Sequence, residues 1–581
     1  MACWITALQG QVIIQEGPVS GVWEKTDSPF WIEGDVCIPA DSALTIEPGV
    51  DVVFRGKYKM EVYGVLDASG AADDSIRFFP ADTLEGWKGL ALYSQVNAAQ
   101  DSTRIQYAIL ENAVNTDGDG FGGALYIENS VRIAFRHNTV RYSAAEHGGA
   151  AYLKNSPLII QYSEFYGNHA ANRGGALYLL QSGASFFFTD VYSNTAFAGA
   201  AMYARISDVA MEDVHVEGNI SQGGGGGIVL HEGSDFTVHN SRISDNLAHG
   251  SGGGVAILEN SVSAFSYTEI SGNSAIHDQF LAFGGGVFVT AFDNAITFTN
   301  CVFDGNQSDD EGGAVFTESG MDAINCLFSG NHTNGYVAQG GGGIYLGQNN
   351  AGIINCTFAS NDSDLGADLY IYDASATIYN SIFWDPGRLQ GNLIYLNGNN
   401  ATAYFAVHYS NIQDGAGSVS GTGAYDVFFG EGMISLDPVF SQEPGSYELE
   451  EGSPCIDAGL LDSLSLLIPP LDLNKDPRVV NGMVDMGPYE YQDAVGIGCL
   501  VMQDRNVDVY PNPADDHVTI LSTRNISFIT IRSISGNVVL HRLTGGDKKV
   551  VLKPVDLAPG MYVVVAGFNG MEFQSCKLLI Q

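Results

Sequence analysis

Apolar and polar positions alternate with period two in short runs along the chain, and the runs return at a nearly fixed spacing. Ten hexapeptides carry the pattern most openly: GGALYI from Gly122, GGAAYL from Gly148, GGALYL from Gly174, GAAMYA from Gly199, GGGIVL from Gly225, GGGVAI from Gly252, GGGVFV from Gly284, GGAVFT from Gly312, GGGIYL from Gly341 and GADLYI from Gly366. Their starts lie 25 to 29 residues apart, with one interval of 32. This spacing and period predict a solenoid whose coils are short strands, since paired helices would show a 3.6-residue period.

Within the hexapeptide the fourth and sixth positions are nearly always aliphatic, as in Leu125 and Ile127, Leu177 and Leu179, or Ile344 and Leu346, and are expected to face the core. The fifth position is Tyr126, Tyr152, Tyr178, Tyr203, Phe288, Phe316, Tyr345 and Tyr370, interrupted by Val229 and Ala256. By alternation this aromatic column faces outwards. A second signal lies between the hexapeptides, an apolar residue three places before an Asn, from Phe135 and Asn138 through Phe165 and Asn168 to Phe358 and Asn361. Asn accepts left-handed backbone angles, so one Asn per coil at the same corner predicts a stacked amide ladder. A further Asn corner at Asn240, Asn300, Asn325, Asn355 and Asn380 precedes the small residues Ser241, Cys301, Cys326, Cys356 and Ser381, read as buried core rather than metal ligands. Each coil is thus expected to hold three strands.

GGA followed by an aliphatic residue, paired with FxxN, resembles the repeats of chlamydial polymorphic membrane proteins and the wider family of right-handed parallel β-helices that includes pectate lyases. The resemblance implies an all-β, right-handed parallel β-helix of about fourteen coils, ~65 Å long at ~4.8 Å per coil. Residues 1–95 are expected to form a cap and irregular first coils, with Cys37 in the core, and residues 96–433 the repeats. From LDPVF and YELEEGSPCIDAG to DLNKDPRVVNGMVDMGPYEY, residues 434–492 resemble the choice-of-anchor Q module. Asp472, Asn474 and Asp476 have the spacing of a calcium loop, but Pro477 and Met483 stand where an EF-hand needs Gly and Glu, so turn-forming acids are the better reading. After a linker at 493–504, VYPNPADDHVTI, VDLAPGMY and the terminal KLLIQ resemble the type IX secretion sorting domain over residues 505–581. That resemblance implies a small Ig-like sandwich, recognition by the type IX machinery, a secreted or outer-surface location of Bacteroidota type, and cleavage of the C-terminal domain.

Charge narrows the partners. Sixty-six acidic against 25 basic residues give a formal net charge of −41, which repels nucleic acid and anionic lipid. No apolar run reaches the ~18 residues of a membrane span. The start, MACWITALQGQ, has no basic region ahead of its apolar run, so export is expected to use a leader outside this sequence, or Met1 to Gln9 is the tail of one. No CxxC pair, GxSxG, HExxH or P-loop occurs.

The best cluster of catalytic residue types lies in loops of three successive coils: His277 and Asp278; Asp309, Asp310 and Glu311; His332. Stacking could gather these into an acid/base or calcium group, with Ca2+ the one cofactor they suggest. The aromatic column offers flat rings to sugar C–H edges, bordered by loops carrying His147, His169, Arg173, His277, Asp309 and His332. A monomeric, non-catalytic binding or adhesion protein for polysaccharide or host-surface glycan is therefore expected. A polysaccharide lyase or glycoside hydrolase, or an inert stalk, are the alternatives.

Overall fold

The computed structural model describes residues 5–8, 11–93, 103–117, 120–129, 133–290, 295–335, 340–385, 387, 392–461, 468–480 and 482–492, and, further on, 507–510, 518–522, 525–533, 538–543, 547–552, 560–568 and 572–580. Two compact units are present, Met1–Tyr491 and Gln492–Gln581.

The first unit is a parallel β-solenoid of about 15 turns. Every hexapeptide forms the first strand of its coil and pairs in register with its neighbours, so that Tyr126, Tyr152, Tyr178, Tyr203, Val229, Ala256, Phe288, Phe316, Tyr345 and Tyr370 stand in one line. The opening glycine is required by shape. Gly174 has φ 69°, and a Cβ there would meet the carbonyl oxygen of Leu177 at 2.3 Å. Second and third strands follow, and a fourth, very short strand completes the coil: a nine-stranded parallel sheet runs from Val114–Asn115 to His332–Thr333. The nine coils from Val114 to Thr333 therefore have a fourth strand where three were expected; in seven of them it is two residues long, too short to leave a legible alternation. At the N-terminal end, Ile5–Leu8 pairs antiparallel with Gln11–Ile14, covering an edge that would otherwise be open. Cys37 pairs beside Glu61 on the outward face, half-buried and not in the core.

The interior is filled by stacked rings and a buried amide ladder. Phe303, Phe328, Phe358 and Phe383 stack at 4.7, 4.7 and 4.6 Å. Asn168, Asn194, Asn219, Asn246, Asn273, Asn306, Asn331 and Asn361 pass an Nδ2 hydrogen bond to the next Oδ1 at 2.9–3.0 Å, and the line ends on Asp368. Asn138 is not a rung. Phe135 belongs to the second strand and Phe165 to the third, so Asn138 sits one corner earlier, where its Oδ1 accepts from Ala108 N and its own N–H donates to Ser163 Oγ.

The second Asn corner has a role beyond its left-handed φ of 47–54°. The described residues of 434–491 lie along it as a largely irregular segment. Asn380 exchanges two side-chain hydrogen bonds with Leu460 (3.0 and 2.7 Å), Asn325 donates to Leu471 O (3.1 Å) and Lys475 donates to Asn240 (3.0 Å). The acids of this segment hold their own turns. Asp472 accepts backbone N–H from Asp476 and Glu490, while Asp485 accepts from Asp457 and Tyr491. Arg478 is fully buried and donates to the carbonyls of Asp485 and Gly487.

In the second unit, Val507–Tyr510, Val518–Ser522 and Lys549–Leu552 form one antiparallel sheet. Ile526–Ser533, Val538–Leu543, Gly560–Phe568 and Glu572–Ile580 form another. The linker 493–504 and most of the YPNP and DLAPG motifs lie outside the described residues. Among those described, no helix is long and apolar enough to cross a membrane.

Candidate functional site

The outward aromatic column is not an exposed strip. Tyr152, Tyr178 and Tyr203 are only 5, 5 and 4% exposed, and Phe316, Tyr345 and Tyr370 are buried as well. Stacking within the line accounts for part of this, with Tyr152–Tyr178 at 4.9 Å and Tyr178–Tyr203 at 5.3 Å. The rest comes from a second column, the residue just before each hexapeptide, which reaches over the ring of the next coil. Phe121 meets Tyr152 at 4.7 Å, His147 meets Tyr178 edge-on at 5.3 Å, and the Arg173 guanidinium lies 5.0 Å from the Tyr203 ring centre. Further along, Phe283 stacks on Phe316 at 4.8 Å. Gly340 lies so close to the Tyr370 ring that a Cβ would sit 2.4 Å from it. Of the eight aromatics, Tyr126 and Phe288 keep more exposure, and each lines a hollow in this face.

Both columns become small in the same place. Ala198, Gly224 and Ser251 stand in the covering column where Val229 and Ala256 interrupt the aromatic one, and the wall opens into a cleft of about 520 Å³. Tyr203 and Phe288 close its ends, Val229, Ala256 and Leu258 line it, and His147, Asn172, Arg173 and Phe197 border it. Phe197 is 47% exposed and touches Phe280, 46% exposed, on the loop of the longest repeat interval; Leu281 on that loop is 49% exposed. Tyr203 Oη lies 3.1 Å from His231 Nδ1, and Arg205 holds Glu232 by two hydrogen bonds of 2.8 Å. Burial, and then the Arg173 charge, push the His147 imidazole down, so it is neutral at pH 7; its Nδ1 is buried with no hydrogen-bond partner.

The predicted loop cluster is brought together only in part. His277 Nδ1 lies 2.9 Å from Oδ2 of the fully buried Asp310, and its backbone N–H donates to Asp309 at 2.8 Å. Glu311 is pushed up to about 7 by burial, then by Asp310 and Glu318. Asp278 turns instead to His249, 3.5 Å away, while His332 is half-buried in the fourth-strand sheet. His169 bonds Thr195. None of the loop cluster lines the cleft. Among the described residues, the acidic and His side chains close enough to hold an ion are His231, Glu232 and Glu259, a group the sequence reading missed. Glu232 there is already paired with Arg205.

A parallel β-helix whose side wall carries one apolar, aromatic-ended cleft is the class of protein these features define. Residues 169–335 match the family model for the right handed beta helix region, and residues 508–581 that for the secretion system C-terminal sorting domain. The chain thus carries a right-handed β-helix region and a type IX secretion sorting domain, and the sorting domain indicates secretion to the cell surface or beyond, with the C-terminal domain cleaved. No curated protein matches it. Among solved structures, the Siphovirus 9NA tailspike receptor binding domain is similar at 10% identity and a TM-score of 0.16, over 92% of this chain and 95% of that one.

Proposed function

We propose that the protein is a non-catalytic binding protein of the cell surface that holds a saccharide in the cleft between Tyr203 and Phe288. The single observation that supports this is the coincidence of the two small-residue gaps, which opens an apolar cleft between Tyr203 and Phe288 in a wall whose rings are mostly covered. Its volume falls in the ~300–1,000 Å³ of small-ligand sites. A gap of that size suits a chain end, a branch or a short segment, not a glycan lying along eight rings. Ring faces and edges next to apolar side chains receive sugar C–H groups, while Arg173, Asn172 and His147 supply polar contacts at the border.

A lyase or hydrolase reading would need acid/base groups at the bound sugar. The His277–Asp310 pair and Glu311 have suitable chemistry but do not line the cleft. Incubating the protein with a panel of plant, algal and host polysaccharides, with and without calcium, separates the readings. Retention without cleavage is expected; new unsaturated products absorbing in the ultraviolet would overturn the non-catalytic assignment.

A further inference from the structure

We propose that the cleft is selective for saccharides bearing an anionic group, a carboxylate or a sulfate, and that Arg173 reads that group. This rests on the cleft being the saccharide site. In a chain this acidic, cations of the β-helix are commonly committed to carboxylates: Arg141 to Glu111 at 2.6 Å, Lys154 to Glu128 at 2.7 Å, Arg205 to Glu232 at 2.7 Å. Arg173 is exposed, borders the cleft and, among the described residues, has no carboxylate oxygen within 4.0 Å. Its contact is the Tyr203 ring, which engages the charge and consumes none of its five N–H donors. A guanidinium held this way keeps its fork for a bidentate partner.

The surroundings favour the same ligand. His147, paired with Arg173 across neighbouring coils, is neutral and adds no repulsion. Of the acids around it, Glu146 accepts a hydrogen bond from the Asn172 side chain, and Glu232, within electrostatic reach of Arg173, is held by Arg205. The net charge of −41 disfavours an anion at long range. At physiological ionic strength exposed charges beyond ~8 Å are largely screened, so a guanidinium in contact dominates distant acids.

The test uses the full chain with glucose, glucuronate and glucose 6-sulfate, followed by ligand-observed NMR, and an array of glycans in matched neutral, carboxylated and sulfated forms. At least one anionic form is expected to bind ~10-fold or more tightly than its neutral match, and that preference should weaken as salt is raised. Arg173→Gln should abolish the preference, and Arg173→Lys should keep part of it. Arg136→Gln, on the second-strand face, should change nothing. Preference for glucuronate alone or for the sulfate alone identifies the group, and either supports the proposal. Equal binding of glucose and both anions, or a preference that survives in a folded Arg173→Gln protein, overturns it. Filling the cleft with Val229→Tyr and Ala256→Tyr distinguishes the two levels. If the filled protein still binds, the cleft reading fails; if filling abolishes binding while Arg173→Gln leaves the preference, only this inference fails.

Discussion

Making the aromatic column continuous should stabilise the protein and abolish its binding at once. Val229→Tyr together with Ala256→Tyr places two rings in line between Tyr203 and Phe288, creating three new ring contacts at the in-register spacing of the strands. Existing neighbours in the line stack at 4.7–5.4 Å. Such pairs contribute ~0.5–1.5 kcal/mol each, so the gross gain is ~1.5–4.5 kcal/mol. The covering column is small here, at Ala198 and Gly224, so the new rings would remain more exposed than Tyr178. Allowing for that and for lost side-chain freedom, a net gain of about 1–3 kcal/mol is expected. Differential scanning calorimetry should show a higher melting temperature, and retention on the selected saccharide should vanish. A lower melting temperature would refute the column argument, since it would mean that the gap is already packed. A more stable protein that binds as before would refute the cleft.

Four further outcomes test the remaining parts. Tyr178→Ala should cost about 3–5 kcal/mol by chemical denaturation, as for a core ring and unlike a surface one. Asn246→Ala should cost about 3 kcal/mol or more, because it leaves the Asn219 N–H and the Val216 carbonyl without their buried partner. Glu311 is raised from an ordinary 4.5 to about 7, so the folded state holds a proton that the unfolded state releases, and stability should fall as pH rises from about 4.5 to 7; Glu311→Gln should flatten that slope in urea midpoints measured across the window. Chelation with EDTA should leave the melting temperature unchanged, since Asp472, Asp485 and Glu490 spend their oxygens on backbone N–H groups.

The solenoid was legible because each first strand states its own alternation and its own glycine turn, ten times over. What could not be read from one repeat was any relation between repeats. The slip at Asn138 is of that kind, since Phe135 and Phe165 look alike but stand on different strands. The terminal segment is a second case. The recurring corner from Asn240 to Asn380 is explained by left-handed backbone alone, and nothing in its spacing says that Leu460, Leu471 and Lys475 will bind there. Contacts separated by 80 to 235 residues leave no periodic trace.

The cleft is the instructive failure, for its residues were in view and were read as an interruption. Alternation assigns Val229 and Ala256 to the outward face, and on that basis the flanking tyrosines should be the exposed rings and the gap should be inert. The outcome is the reverse because the covering column acts one coil out of step: Phe121, His147 and Arg173 bury the rings of the coils that follow them. Exposure in this wall therefore depends on the product of two positions in successive repeats. Where a small covering residue precedes a small fifth position the wall opens, and Ala198 with Val229 and Gly224 with Ala256 are two such pairs in succession. The 32-residue interval beside them, the longest between hexapeptides, supplies Phe280 and Leu281. It follows that a site in such a wall can be moved along the helix by a few substitutions that leave the core columns untouched. The first and third strands would keep their register while the binding position shifts by one ~4.8 Å step per coil.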